Sequence, residues 1–113
     1  MKKMKVSDRA VEYILTRRVE DLGRLTGMKI ATAVGVSQPY LSRKFKNDHK
    51  ITLDEFITRE KIHTAIFMLE KNREKPIEEL ATQLGFMKTD QFVNAFKSYV
   101  AIEPQKYRQL RNS

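Results

Sequence analysis

An all-α fold is what this sequence predicts, and three observations predict it. Apolar residues recur at three- and four-residue intervals almost throughout. No useful length of apolar–polar alternation interrupts them. The breaks fall at Gly, Pro and small hydroxyl residues standing where helices begin and end.

Val6, Ala10, Ile14 and Leu15 form the stripe of a first helix, expected over Ser7 to Arg18. Val19 to Leu25 has no period, contains Gly23 and reads as a loop. Thr26 is the expected N-cap of a helix carrying Met28, Ile30, Ala31 and Val34. Gly35 ends that helix, because the sharp turn calls for a residue tolerant of positive φ. Ser37 caps the next, with Pro39 in its first turn, where no N–H is needed, and Tyr40, Leu41 and Phe45 on one side. Thr52-Leu-Asp-Glu55 reads as a capping box in which hydroxyl and carboxylate each take an orphan N–H. It opens a long helix to about Asn72 with the stripe Leu53, Phe56, Ile57, Ala65, Ile66 and Leu69. Pro76 suits the first position of a following helix that carries Ile77, Leu80, Ala81 and Leu84 and ends at Gly85. Phe92, Val93 and Phe96 mark another helix, about Thr89 to Tyr99, and Pro104 starts a short last one with Tyr107 and Leu110. The expected total is about seven helices.

Composition narrows the function. Without Cys, neither disulfides nor thiolate metal sites can form, and His49 and His63 alone do not suggest a histidine site. Twenty-two Lys and Arg against 14 Asp and Glu give a formal charge of +8, which favours polyanions or anionic membranes; plain solubility is the bland reading. No run of about 20 apolar residues exists. No apolar signal core follows the basic Met-Lys-Lys-Met-Lys opening, so the chain reads as cytoplasmic. No Gly-rich phosphate loop, metal cluster or nucleophile–base pair is recognisable, so neither an enzyme nor a cofactor is expected.

The chain repeats itself. Ile30-Ala-Thr-Ala-Val-Gly-Val36 parallels Leu80-Ala-Thr-Gln-Leu-Gly-Phe86. Leu41 to Phe45-Lys46 then parallels Phe92 to Phe96-Lys97, with one more residue in the second turn. This is a helix-turn-helix pattern: the small Ala lets two helices cross closely, the Gly permits the turn, and the next apolar residue plugs the gap. The expected division is a first helix-turn-helix subdomain over 1–51, a linker helix over 52–72 and a second subdomain over 73–113. A linker of that length measures about 30 Å at 1.5 Å per residue, against roughly 34 Å between successive turns of one groove face.

Ile77-x-x-Leu-Ala81, Leu84-Gly-Phe86, Phe92-x-x-x-Phe-Lys97 and Pro104-x-x-Tyr-Arg108, with Tyr40-Leu-Ser-Arg-x-Phe-Lys46 before them, resemble the DNA-binding domain of AraC/XylS-type transcription regulators. The resemblance spans about residues 6 to 111. It implies a bacterial, two-part DNA reader, often bound as a monomer, that usually activates transcription through RNA polymerase. Most such regulators carry a further sensing or dimerisation domain; a whole small regulator and the output part of a larger one both fit this sequence. Lys61 stands where the family commonly has Arg, His49-Lys50 and Ala101 stand near positions where the family often has Gly, and the Val19–Leu25 segment is a few residues longer than usual.

The candidate DNA-binding residues are Gln38, Pro39, Ser42, Arg43 and Lys46 in the first unit, and Lys88, Thr89, Asp90, Gln91, Asn94 and Lys97 in the second. Arg43 can bind guanine O6 and N7 in bidentate fashion; its bland readings are a salt bridge or a phosphate contact. Lys44 and Lys46 suit phosphate. Gln91 and Asn94 can read adenine, and Thr89 a thymine methyl or a phosphate. Asp90 repels phosphate, so it either accepts from cytosine or caps the helix and orients Lys88. Tyr40, Phe45, Phe86, Phe92, Phe96 and Tyr107 are expected in the core rather than as base-stacking platforms. Met68 and Phe67 lie off the linker stripe, and His63 reads as structural. Arg108 and Arg111 suit phosphate or a helix C-terminus. The competing readings are a helical protein-interaction module and a non-specific nucleic-acid binder.

Overall fold

The computed structural model describes residues 3–111, so Met1 and Lys2 of the basic opening and Asn112-Ser113 of the last expected segment lie outside the described residues. The elements are α1 (Val6–Leu15), α2 (Val19–Leu22), α3 (Gly27–Val34), α4 (Gln38–His49), α5 (Leu53–Lys71), α6 (Ile77–Gln83), α7 (Thr89–Val100) and α8 (Pro104–Arg111). There are thus eight helices among the described residues, one more than expected; the addition is α2.

Spacing decides which residues each helix buries. In α1 the buried set is Ser7, Ala10 and Ile14, so Leu15, one step of about 100° from Ile14, stands 57% exposed. The helix stops there rather than at Arg18, with the Thr16 hydroxyl on Glu12 O and Arg17 Nε on Tyr13 O. In α3 the buried positions are Gly27, Ile30, Ala31 and Val34, an i, i+3, i+4, i+7 set that leaves Met28 66% exposed. Leu110 of α8 is out of phase in the same way, whereas Pro104 and Arg108 are buried.

The segment expected as a loop contains α2. Leu22 and Leu25, an i, i+3 pair, are buried and tie it to the core. Glu20 and Asp21 sit in its first turn, where negative charge meets unpaired N–H groups. A four-residue helix is too short to show a period.

The two turns repeat bond for bond. Gly35 has φ 81 and Gly85 φ 85. Val36 N donates to Ala31 O and Gly35 N to Thr32 O; likewise Phe86 N donates to Ala81 O and Gly85 N to Thr82 O. Both are Schellman closures, which satisfy carbonyls at a helix end. Arg9 of α1 adds a guanidinium bond to Val34 O at 2.7 Å. Thr26 and Ser37 cap α3 and α4 as expected. Thr52 accepts from Glu55 N at 3.0 Å, but its hydroxyl lies 3.1 Å from the Glu55 carboxylate, so half of the capping box is a side-chain pair instead. Pro76 is the N-cap of α6 rather than its first helical residue.

α5 does not carry one stripe. Leu53, Phe56 and Ile57 face one side, while Ile62, Ala65 and Leu69 fall about half a turn away at 100° per residue. The expected stripe omitted Ile62, which is fully buried, and included Ile66, which is only partly so. Phe56 meets Phe45 of α4 edge-on at 5.5 Å. At the other end a run of rings, Phe86–Phe92–Phe96–Tyr107, fills the space between α6, α7 and α8 with spacings of 5.4, 6.0 and 5.8 Å. Lys61 reaches over Phe86 with Nζ 5.5 Å from the ring centre, and burial holds its pKa below the ordinary 10.5 against the opposing charge of Asp54. Tyr40, expected in the core, is 39% exposed instead, since Leu41 takes the inward direction beside it.

Ser7, wholly buried, donates to Asp48 at 2.5 Å and joins α1 to α4. That bond, then the smaller attractions of Asn47, Lys5 and Lys44, outweighs desolvation and holds the Asp48 carboxyl below 3.8. A depressed carboxyl contributes stability above its unfolded pKa, and that contribution is lost as pH falls through the folded value. Calorimetry should therefore show that Ser7→Ala melts lower at neutral pH and that its deficit shrinks as pH drops below 3.8; a deficit independent of acid would contradict this role.

Lys50 and Ala101 end the two second helices with φ 66 and 75, in the left-handed region that favours glycine. Lys50 recovers a bond from Nζ to Asn47 O, but the Ala101 methyl can make none. Ala101→Gly is expected to raise stability by about 0.5–1 kcal/mol, the left-handed penalty less the extra chain entropy of glycine. Denaturant titration checks this, and a lower midpoint would refute it.

Candidate nucleic-acid interface

Each second helix buries one side and bares the other. In α4, Leu41 and Phe45 are fully buried, so the opposite direction carries Pro39, Arg43, Lys46 and Asn47, with Tyr40 beside them. In α7, Phe92 and Phe96 are fully buried, and the opposite direction carries Asp90, Gln91, Asn94, Lys97 and Ser98. Aligning Leu41 and Phe45 with Phe92 and Phe96 pairs Arg43 with Asn94, Lys46 with Lys97 and Pro39 with Asp90.

Most of the expected residues share these faces. Gln38 and Ser42 are exposed but lie at the flank. Gln38 folds back on the start of α3: a Cβ placed on Gly27 would sit 2.9 Å from its Nε2. Thr89 is partly buried and turns inward, lining a depression with Pro76, Ile77, Val93 and Pro104. Lys88, not Asp90, takes the N-cap of α7, without a side-chain bond. Asp90 is therefore in the first turn, favoured there by the helix dipole, and it does not act as the cap that would orient Lys88. Tyr40, Arg43, Lys44 and Asn47 line one shallow groove along α4. Tyr40 and Asn47 were not among the expected site residues, although positions 40, 43, 44 and 47 have the i, i+3, i+4, i+7 spacing of a single face.

The charge on these faces is free. Among the described residues, the ion pairs are Arg18–Asp21 and Arg111–Glu70, with His49 beside Asp8 and His63 beside Glu60, and none of these contacts engages Arg43, Lys46, Lys88 or Lys97. The faces differ in sign: α4 presents Arg43 and Lys46 with no carboxylate, Lys44 beside them being drawn toward Asp48, whereas α7 sets Asp90 against Lys88 and Lys97.

The arginines of α8 do structural work elsewhere. Arg108 is 7% exposed and donates to Arg73 O at 3.1 Å and Lys75 O at 2.6 Å, closing the loop between α5 and α6. Arg111 pairs with Glu70 at 3.2 Å; the same carboxylate accepts from the Tyr107 hydroxyl at 2.8 Å and raises that phenol's pKa. Arg108→Met should cost about 3 kcal/mol of stability, because two carbonyls of the loop lose a charged donor. Chemical denaturation measures it; an unchanged midpoint would show that the loop holds itself.

Among the described residues no helix is long and apolar enough to cross a membrane, and no group of three or more His, Cys, Asp or Glu is placed to hold a metal. A family model described as a helix-turn-helix domain matches residues 30–110. The multiple antibiotic resistance protein MarA of Escherichia coli is 32% identical over 80 residues, covering 71% of this chain and 62% of that protein. The Msm operon regulatory protein of Streptococcus mutans is 29% identical over 79 residues, 70% of this chain and 28% of that protein. The chain thus spans less than two thirds of either relative. Among solved structures, the C-terminal domain of AraT, a response regulator from Geobacillus stearothermophilus, aligns with TM-score 0.79 and 28% identity over 97% of this chain and 88% of that one. The same repeat, the same two turns and these matches agree: the chain belongs to the AraC-type helix-turn-helix family of transcription-regulator domains.

Proposed function

We propose that the chain binds double-stranded DNA sequence-specifically, with α4 and α7 in successive major grooves, and regulates transcription. The observation that carries this reading is the unpaired polar and basic face of α4, matched in helical phase by α7 after a turn closed by the same two hydrogen bonds. α5 has 19 residues, about 28 Å at 1.5 Å per residue, and the molecule's longest extent is 50 Å. Both suit a groove repeat of roughly 34 Å with modest bending of the duplex. Residues 1–51 would be the first reader, 52–72 the spacer and 73–113 the second reader. The first, whose α4 face sets out Arg43 and Lys46 without a carboxylate, supplies most of the affinity. The second, with Asp90 at its start, supplies less affinity and a looser preference. The likeness to the Msm operon regulatory protein supports a role in control of an operon, and we place that role in the cytoplasm. Activation through RNA polymerase, by a single domain bound to its site, completes the proposal.

In this reading Arg43 reads a guanine, Gln91 and Asn94 read adenine, and Lys46, Lys88 and Lys97 hold phosphates. Pro39, Tyr40 and Asn47 shape the approach of α4. Selection of bound genomic fragments identifies the site, and fluorescence anisotropy with that duplex then tests it. Affinity is expected to fall steeply with salt as counterions are released. Arg43→Ala should cost about 1–3 kcal/mol on the selected duplex and relax discrimination at one base pair. A uniform loss on every sequence would make Arg43 a phosphate contact. Equal affinity of the parent for all duplexes would sink sequence-specific binding.

A further inference from the structure

The two helix-turn-helix units touch at a point that neither α5 nor the repeat requires. Gly23, just after α2, lies with its backbone against the turn that leads into α7. A Cβ placed on Gly23 would come within 3.0 Å of Gly85 N and Leu84 C, and closer still to the Gln83 carbonyl oxygen. From the other side, a Cβ on Gly85 would lie 2.9 Å from Gly23 C and would overlap the Gly23 carbonyl oxygen. Every atom in the way is backbone, so no side chain can swing aside. Around this contact the units diverge: Val19, Glu20, Arg24, Met68, Lys75 and Thr82 line an open cleft.

The contact is anchored on both sides. Leu22 and Leu25 flank Gly23 and are buried. Gly85 is pinned by the Schellman closure of α6. The units are therefore joined twice, through α5 and through this glycine pair, and two separated attachments remove the pivot that a single connecting helix would leave.

We propose that Gly23 is a positioning residue whose backbone seat on the Gln83–Gly85 turn holds the two second helices in one relative pose and thereby selects the half-site spacing the chain accepts. The spacing role rests on the DNA-binding reading above; the pose does not. Gly23 touches no part of the proposed DNA-binding faces, so its removal should alter how the units cooperate and not what each reads.

Two measurements separate the claims. The chain has no cysteine, so Asn47→Cys and Ser98→Cys admit nitroxide labels on the outer faces of α4 and α7, and pulsed electron spin resonance without DNA reports their separation. A narrow distance distribution with Gly23, broadened in Gly23→Ala, is expected. Anisotropy with unlabelled chain then uses duplexes whose half-sites are moved apart one base pair at a time. Gly23 is expected to favour one spacing at least 10-fold over a shift of two base pairs; in Gly23→Ala the preference should fall below 3-fold, with affinity for a single half-site unchanged. An unaltered distribution and an unaltered spacing preference in Gly23→Ala overturn the proposal. If that variant does not fold, as circular dichroism would show, the parent decides: a broad distribution with Gly23 present overturns it. A parent that prefers no duplex overturns the DNA reading and the spacing role with it, while the spin-label distances still test the pose.

Discussion

The architecture depends on how α5 divides its apolar surface. Leu53, Phe56 and Ile57 face one way, and Ile62, Ala65 and Leu69 face about half a turn away. A single stripe would have drawn everything onto one face and produced one bundle. Divided, the helix offers one patch to α4 through the Phe45–Phe56 contact and another to the helices after it. Because α5 is a continuous run of hydrogen bonds, the angle between its two patches is set by helical geometry and not by a flexible joint.

What α5 sets in rotation, the smaller contacts set in detail. Arg108 closes the α5–α6 loop by taking two of its carbonyls, Tyr107 and Arg111 grip Glu70, and Lys61 lies over the Phe86 plug. Each is a cation or hydroxyl reaching from one element to a carbonyl, carboxylate or ring on another. Part of the basic excess is therefore structural. The cations that no carboxylate answers include Arg43 and Lys46 on the outer face of α4. That distinction between paired and unpaired cations is what makes the two outer faces unequal.

Local signals in the chain were legible when the responsible physics was local. The N-caps Thr26, Ser37 and Thr52 and the left-handed ends Gly35 and Gly85 depend only on residues a few positions away, and they stand where the spacing puts them. The repeat led directly to the helix-turn-helix units for the same reason. Misreadings arose where two apolar neighbours competed for one inward direction, as with Ile14 and Leu15 or Tyr40 and Leu41. In the site, Arg43, Lys46, Asn94 and Lys97 could be placed from helical phase alone, whereas Thr89 looked outward in the sequence and turned inward, against the residues that start α6 and α8.

The sequence by itself determined the class of fold, the two units, the long helix between them and which helix in each unit offers a free face. These follow from periodicity and from capping chemistry, which act over one or two turns. Only the tertiary structure decided that α5 has two faces, that Val19–Leu25 contains a helix, and that Gly23 meets the Gln83–Gly85 turn across some sixty residues of chain. Such contacts join segments that share no local pattern. A glycine needed for close approach leaves no mark in the chain that distinguishes it from one in a loop, until the two backbones are brought together.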